Sequence, residues 1–221
     1  MKTLARGSLL LILLACFIAS AAAGPTANLT EGKEFVRTRA PSPLEPVGKI
    51  EVLEFFSYGG LHSDECEPFL SGWLKTLPGD VEFHRVPVVF ITSWLGFAKV
   101  YYTLEALGMD RALSPDVFSA VRNDGLPLFR EKAFLDWAAR KGLDRAKVAE
   151  LYNSPSIIGK VNDAKALAQV YDVQVVPMVV VDGKFATNYE RVGLPSRLPV
   201  VIDGLVAKAR AERRSKLAGQ K

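Results

Sequence analysis

Apolar positions change their period several times along the chain, and the changes divide it. Ile50-Glu51-Val52-Leu53-Glu54-Phe55-Phe56 is a near-continuous, β-favouring run, the pattern of a strand buried in a mixed or parallel sheet. From Cys66 the apolar residues fall at Cys66, Phe69, Leu70, Trp73, Leu74 and Leu77, a stripe of helical period that predicts a helix stopped by Pro78-Gly79. Val81-Glu82-Phe83-His84-Arg85-Val86-Pro87-Val88 starts with alternation and carries Pro87 near its end, as an edge or terminal strand position permits. Strand, helix, strand implies a right-handed crossover joining a parallel pair, with chemistry expected where the strands end, at Ser57 to Ser63.

Between Phe97 and Tyr171 the pattern becomes helical: Phe97-Val100-Tyr101-Leu104-Leu107, Val117-Val121, Phe134-Trp137-Ala138, Val148-Leu151-Tyr152 and Val161-Ala164-Leu167-Ala168-Tyr171. Gly108, Ser114-Pro115, Gly125, Gly142 and Ser154-Pro155 separate these segments. Strand character resumes over Val175 to Val181, turns at Asp182-Gly183 and continues through Lys184-Phe185-Ala186, a hairpin by its turn chemistry. A last helix, about Leu198 to Arg213, is expected to carry Val200-Val201, Leu205 and Ala209 inward. The result is an α/β chain: a sheet in two parts, 47–96 and 172–214, a helical insertion at 97–171, and a basic tail at 215–221.

The N-terminus adds a destination. Lys2 and Arg6, the apolar stretch Leu9 to Ile18, and Ala19-Ser20-Ala21-Ala22-Ala23 have the three-part layout of a secretory signal peptide over residues 1–23. An alternative lipobox at Leu13-Leu14-Ala15-Cys16 is weaker, because Phe17-Ile18-Ala19 prolongs the apolar segment where a polar tether would begin. The apolar run is short for a bilayer span and no later segment is comparably long, so no transmembrane segment is expected in the mature chain. Residues 24–46, rich in Pro, Gly, Thr and Ser, read as an N-terminal arm in which Glu34 to Arg37 is a possible short edge strand.

Removing residues 1–23 takes away two basic residues and no acidic one, so the formal charge falls from +4 to +2. That excess, mostly in the tail, does not argue for nucleic acid. Of the two cysteines, Cys16 lies in the signal segment, which leaves Cys66 alone and unable to form a disulfide within its own mature chain.

Val52-Leu53-Glu54-Phe55-Phe56-Ser57-Tyr58, a four-residue motif ending at Ser63, and Glu67-Pro68 closely resemble the active-site strand and helix of DsbA-like periplasmic disulfide oxidoreductases. Val175-Val176-Pro177-Met178 followed by Val181-Asp182-Gly183-Lys184 resembles the cis-proline loop and hairpin of that family. The resemblance spans roughly Leu29 to the C-terminus and implies a thioredoxin-like fold with an inserted helical sub-domain and a periplasmic location. It departs at the centre: where the family has Cys-Pro-His-Cys or close to it, this chain has Gly60-Leu61-His62-Ser63. Dithiol exchange needs a thiolate at the first position, its pKa lowered by a helix N-terminus, and a second thiol three residues on. Gly60 has no side chain to attack with, and the Ser63 hydroxyl cannot form a sulfur–sulfur bond.

Other chemistry is weaker. Cys66 repeats the three-residue spacing from Ser63, but it opens the apolar stripe and is expected to be buried and inert. A hydrolytic pair of His62 with Ser63 lacks a third orienting group, and a metal site from His62, Asp64 and Cys66 fails because residues two apart on a helix diverge. No metal and no cofactor is expected. His84 reads as a surface or packing residue, and Glu54 matches a buried carboxylate of the family.

What remains is polypeptide binding. A cis bond before Pro177 would leave the Val176 backbone free to pair with an extended peptide, with Tyr58, Leu61, His62, Val176, Pro177 and Met178 around the groove. The expectation is a DsbA-like envelope protein without its redox dithiol that binds peptides, unfolded chains or a protein partner. Thiol:disulfide interchange through Cys66 is the alternative, and a degenerate paralogue without a binding role is the third reading.

Overall fold

The protein is described by a computed structural model over residues 28–39 and 48–219. The signal segment with Cys16, and residues 24–27 and 40–46 of the N-terminal arm, therefore lie outside the described residues.

Among the described residues five strands make one mixed sheet. They are β1 (Val36–Arg37), β2 (Ile50–Phe56), β3 (Val81–Pro87), β4 (Met178–Val181) and β5 (Phe185–Asn188), in the order β1-β5-β4-β2-β3. β2 and β3 are parallel, joined across helix α1 (Leu61–Leu74), and all other pairings are antiparallel. The β4–β5 hairpin turns at Asp182 and Gly183, both at positive φ (56° and 64°), as a tight turn matched to strand twist requires.

Between β3 and β4 stand α2 (Thr92–Ala106), α3 (Asp110–Arg122), α4 (Glu131–Arg140), α5 (Arg145–Tyr152) and α6 (Pro155–Val170). After β5 come α7 (Tyr189–Val192), a 3-10 turn (Pro195–Arg197) and α8 (Leu198–Ala218).

Alternation along the strands sorts side chains into two cores. Leu53, Phe55, Val180 and Ala186 face the helical block, packing with Phe97, Tyr101, Phe118 and Val161. Val52, Val179, Val181 and Phe185 face α1 and α8, packing with Cys66, Leu70, Trp73, Ile202 and Leu205. Both sheet faces are covered, which is why β2 and β4 read as continuous apolar runs.

Several boundaries differ from expectation. Phe69, counted in the apolar stripe, is 43% exposed, because on a helix that begins at Leu61 the inward line runs through Ser63, Cys66, Glu67, Leu70 and Trp73. Ser114-Pro115 does not break the chain but lies inside α3, where one missing N–H is outweighed by burial of Leu113, Val117 and Phe118. The strand expected from Val175 begins only at Met178, since Pro177 has no N–H for the ladder. The helical block starts at Thr92 instead of Phe97. Val200 faces solvent while Val201, Ile202, Leu205 and Ala209 face the core, and α8 runs to Ala218, into the segment read as a tail.

Candidate functional site

The carboxyl ends of β2 and β3, the start of α1 and the loop before β4 meet at one end of the sheet's strands. Gly60 is the N-cap of α1, with extended φ and ψ of −86° and 121° and no capping side chain. Its N–H donates to the Ser57 carbonyl at 2.9 Å, and its own carbonyl accepts from the Asp64 N–H at 3.1 Å. A methyl carbon built on Gly60 would stand 3.1 Å from Ser63 Oγ, 3.1 Å from Val176 Cγ2 and 3.3 Å from the Ser57 carbonyl oxygen. The first and fourth motif positions and the residue before Pro177 are therefore brought together, and the Val176–Pro177 peptide bond is cis. The neighbouring Gly59 is needed for close approach, because a side chain there would meet the Trp94 indole at 2.6 Å.

Ser63 is buried, with its hydroxyl accepting the Ser57 N–H at 3.4 Å. His62 turns away from it. The His62 Nδ1 lies 2.8 Å from Glu65 Oε2, and its ring stacks on Tyr189 with centroids 3.8 Å apart and an interplanar angle of 14°. The hydrogen bond to His62 holds the Glu65 carboxyl below the usual carboxylate range. A His62–Ser63 hydrolytic pair is thus not assembled. Asp64 approaches Arg122 at 3.7 Å while Cys66 points into the core, and among the described residues no three His, Cys, Asp or Glu side chains gather as a metal-binding group.

Cys66 is fully buried, and its thiol is pushed up to about 12 by burial and then by the charges of Glu54, Glu65 and Glu67. Among the described residues no disulfide involves it. Such a thiol supplies almost no thiolate at neutral pH.

Of the residues expected around a groove, Leu61 is half exposed, His62 and Met178 are partly exposed, and Val176 and Pro177 are buried, with the Pro177 carbonyl accepting the Tyr189 N–H at 3.3 Å. Tyr58 does not belong with them. It is 1% exposed, packs edge-on against Phe56 and Phe118, and shares a 2.7 Å hydrogen bond with Ser114 Oγ, because the turn after β2 sends it into the helical core. Among the described residues no backbone hydrogen bond engages the N–H or carbonyl of Val176.

Beneath the motif lies a charged floor that sequence reasoning only half found. Glu54 is buried as expected, and it faces Arg85 directly across the parallel β2–β3 register. Arg85 Nε donates to Glu54 Oε2 at 2.7 Å, and its Nη2 donates to Glu67 Oε2 at 2.5 Å. Ser71 Oγ also donates to Glu67, and the guanidinium stands 5.3 Å from the centre of the Phe56 ring. Burial raises the Glu54 carboxyl above its ordinary value, against the pull of Arg85. Glu54 is the fifth residue of β2 and Arg85 the fifth of β3, and the parallel register of the two strands is what sets them side by side. His84, next to Arg85, is half exposed and lies 3.4 Å from Glu82, as a surface residue.

Residues 76–194 match the DSBA-like thioredoxin domain, a match that starts downstream of the Gly60–Ser63 motif. The thiol:disulfide interchange protein DsbA of Burkholderia cepacia is 37% identical over 182 residues, covering 82% of this chain and 85% of its own length. The crystal structure of Pseudomonas aeruginosa DsbA superposes with a TM-score of 0.79 at 36% identity, over 84% of this chain and 97% of that one. An oxidoreductase of Neisseria meningitidis superposes with a TM-score of 0.71 at 32% identity, over 84% of this chain and 100% of that one.

Proposed function

The chain belongs to the family of DsbA-like thioredoxin-domain proteins, and we propose that within it this member performs no dithiol exchange but holds extended polypeptide, or a partner protein, at the Val176–Pro177 loop. The observation that carries the reading is the position of Gly60. A carbon there would lie 3.1 Å from both Ser63 and Val176, so the place of a redox motif is intact in shape while both of its sulfurs are missing. Among the described residues the Val176 N–H and carbonyl have no backbone partner, which supports pairing with an incoming strand whose main-chain hydrogen bonds tolerate many sequences. Leu61, exposed beside it, offers apolar surface. The signal layout of residues 1–23 supports a periplasmic location, and among the described residues no helix is long and apolar enough to cross a membrane.

The test compares the mature protein with a Gly60→Cys/Ser63→Cys variant in insulin reduction and dithiol oxidation. Activity only in the double variant is expected, since a Cβ at Gly60 asks Ser63, Val176 and the Ser57 carbonyl to give by only a few tenths of an ångström. Activity in the unmodified protein would overturn the reading and implicate Cys66, which should then label rapidly in the native state rather than only after denaturant is added. Inactivity of both folded proteins would leave a degenerate scaffold and also overturn it.

A further inference from the structure

Beside the Val176–Pro177 loop, on the sheet face turned toward the helical block, lies a cavity of about 330 Å³ that the helices leave open. Its apolar surface comes from Val36, Val170, Met178 and Ala186, and Val170 is 49% exposed. Val175, the residue before Val176, and Met178, the residue after Pro177, form the wall nearest the loop. A strand paired along Val176 therefore passes the mouth of this cavity.

The charges on the rim are unequal. Arg37 is held by Glu212 at 2.8 Å and by Glu31 at 3.6 Å, so it is already neutralised. Asp172 accepts a hydrogen bond from Gln174 at 2.7 Å. Among the described residues the Arg191 side chain donates only to the backbone carbonyls of Gly32 and Lys33, and Arg39 makes no ion pair. Among the described residues two guanidinium groups without a carboxylate thus line the cavity with one aspartate, over an apolar floor.

We infer that this cavity selects polypeptides carrying an acidic side chain beside apolar ones, the carboxylate resting between Arg39 and Arg191 while the segment pairs with Val176. The inference rests on the peptide-binding reading above. It makes the loop a site with a charge preference rather than a sequence-indifferent edge. Exposed charge pairs of this kind change affinity by severalfold and are screened by salt.

The test uses fluorescein-labelled extended peptides that are identical except for one position, occupied by Asp, Ser or Lys and scanned along the peptide, with binding read by anisotropy at low and high salt. At the matching position the Asp peptide should bind roughly fivefold more tightly than the Ser peptide, the Lys peptide should bind least, and the contrast should shrink at high salt. Arg39→Gln with Arg191→Gln should erase the preference and leave affinity for the Ser peptide unchanged. Because Arg191 also ties down the loop at Gly32, Arg39→Gln alone serves as a second variant, and thermal unfolding reports on the fold. Equal binding of the three peptides, or a preference that survives in the double variant, would refute the charge preference and leave peptide binding standing. Failure of every peptide to bind would refute peptide binding itself and this inference with it.

Discussion

The rim and the floor of the site each pair carboxylates with basic groups, yet the two clusters obey different physics. At the rim, His62, Glu65 and Tyr189 meet in solvent, where water screens their interactions. At the floor, Glu54, Arg85 and Glu67 are all buried, two potential negative charges on one positive, with each polar atom dependent on the others. The comparison teaches that the floor is a structural commitment of the sheet and α1, while the rim is surface that can change at little energetic cost. Gly60 and Ser63 stand between them, and their identity leaves both clusters assembled.

The sharpest way to break this contrast is to remove the shared cation. Arg85→Met should destabilise the protein by about 3–5 kcal/mol, since it leaves two carboxylates buried without a partner. Urea unfolding measures this, and a loss below about 1 kcal/mol would mean that the floor is far wetter than its burial implies.

A smaller effect, of opposite sign at the two clusters, comes from pH. The Glu54 carboxyl is raised above its unfolded value of 4.5, so its contribution favours the folded state below that value and is lost as pH rises through the folded-state pKa. Glu54→Gln should therefore flatten the decline in stability on the alkaline side of pH 4.5. The Glu65 carboxyl is lowered, so its contribution is present above 4.5 and lost as pH falls through the folded-state pKa. Glu65→Gln should make the protein slightly less sensitive to acid. Unfolding curves across this range that respond in the same direction to both variants would contradict the assignment of opposite shifts.

The smallest effect expected is from His62→Ala, within about 0.5 kcal/mol at neutral pH, because the side chain is partly exposed and its contact with Glu65 is solvent-screened. A much larger loss would show that the stack on Tyr189 fastens α1 to α7, turning the rim into a second structural element.

The legibility of these features followed their range in the chain. β2 was readable because seven consecutive residues share one character, and the Asp182-Gly183 turn because only a few residue types tolerate positive φ at both positions. Ser154-Pro155 was readable as a boundary, and the structure shows why: Ser154 caps α6 through the Ile157 N–H, and Pro155 opens the helix. The start of α1 at Gly60 is legible only through the family resemblance, because Gly60 caps the helix without a side chain and no capping residue announces it. Tyr58 was assigned to the groove from its neighbourhood in sequence, and only the direction of one turn, unreadable from periodicity, put it in the core.

By itself the sequence determined that two apolar faces flank a mixed sheet, that a helical block interrupts it, and that no sulfur stands at positions 60 and 63. These are matters of composition and local period. Tertiary structure alone decided that Arg85 closes on Glu54 and Glu67, that Tyr189 covers His62, and that Arg39 and Arg191 reach one cavity. Each joins residues from distant segments, and such partners are chosen by strand register and helix packing, which side-chain alternation constrains to a face but not to a neighbour.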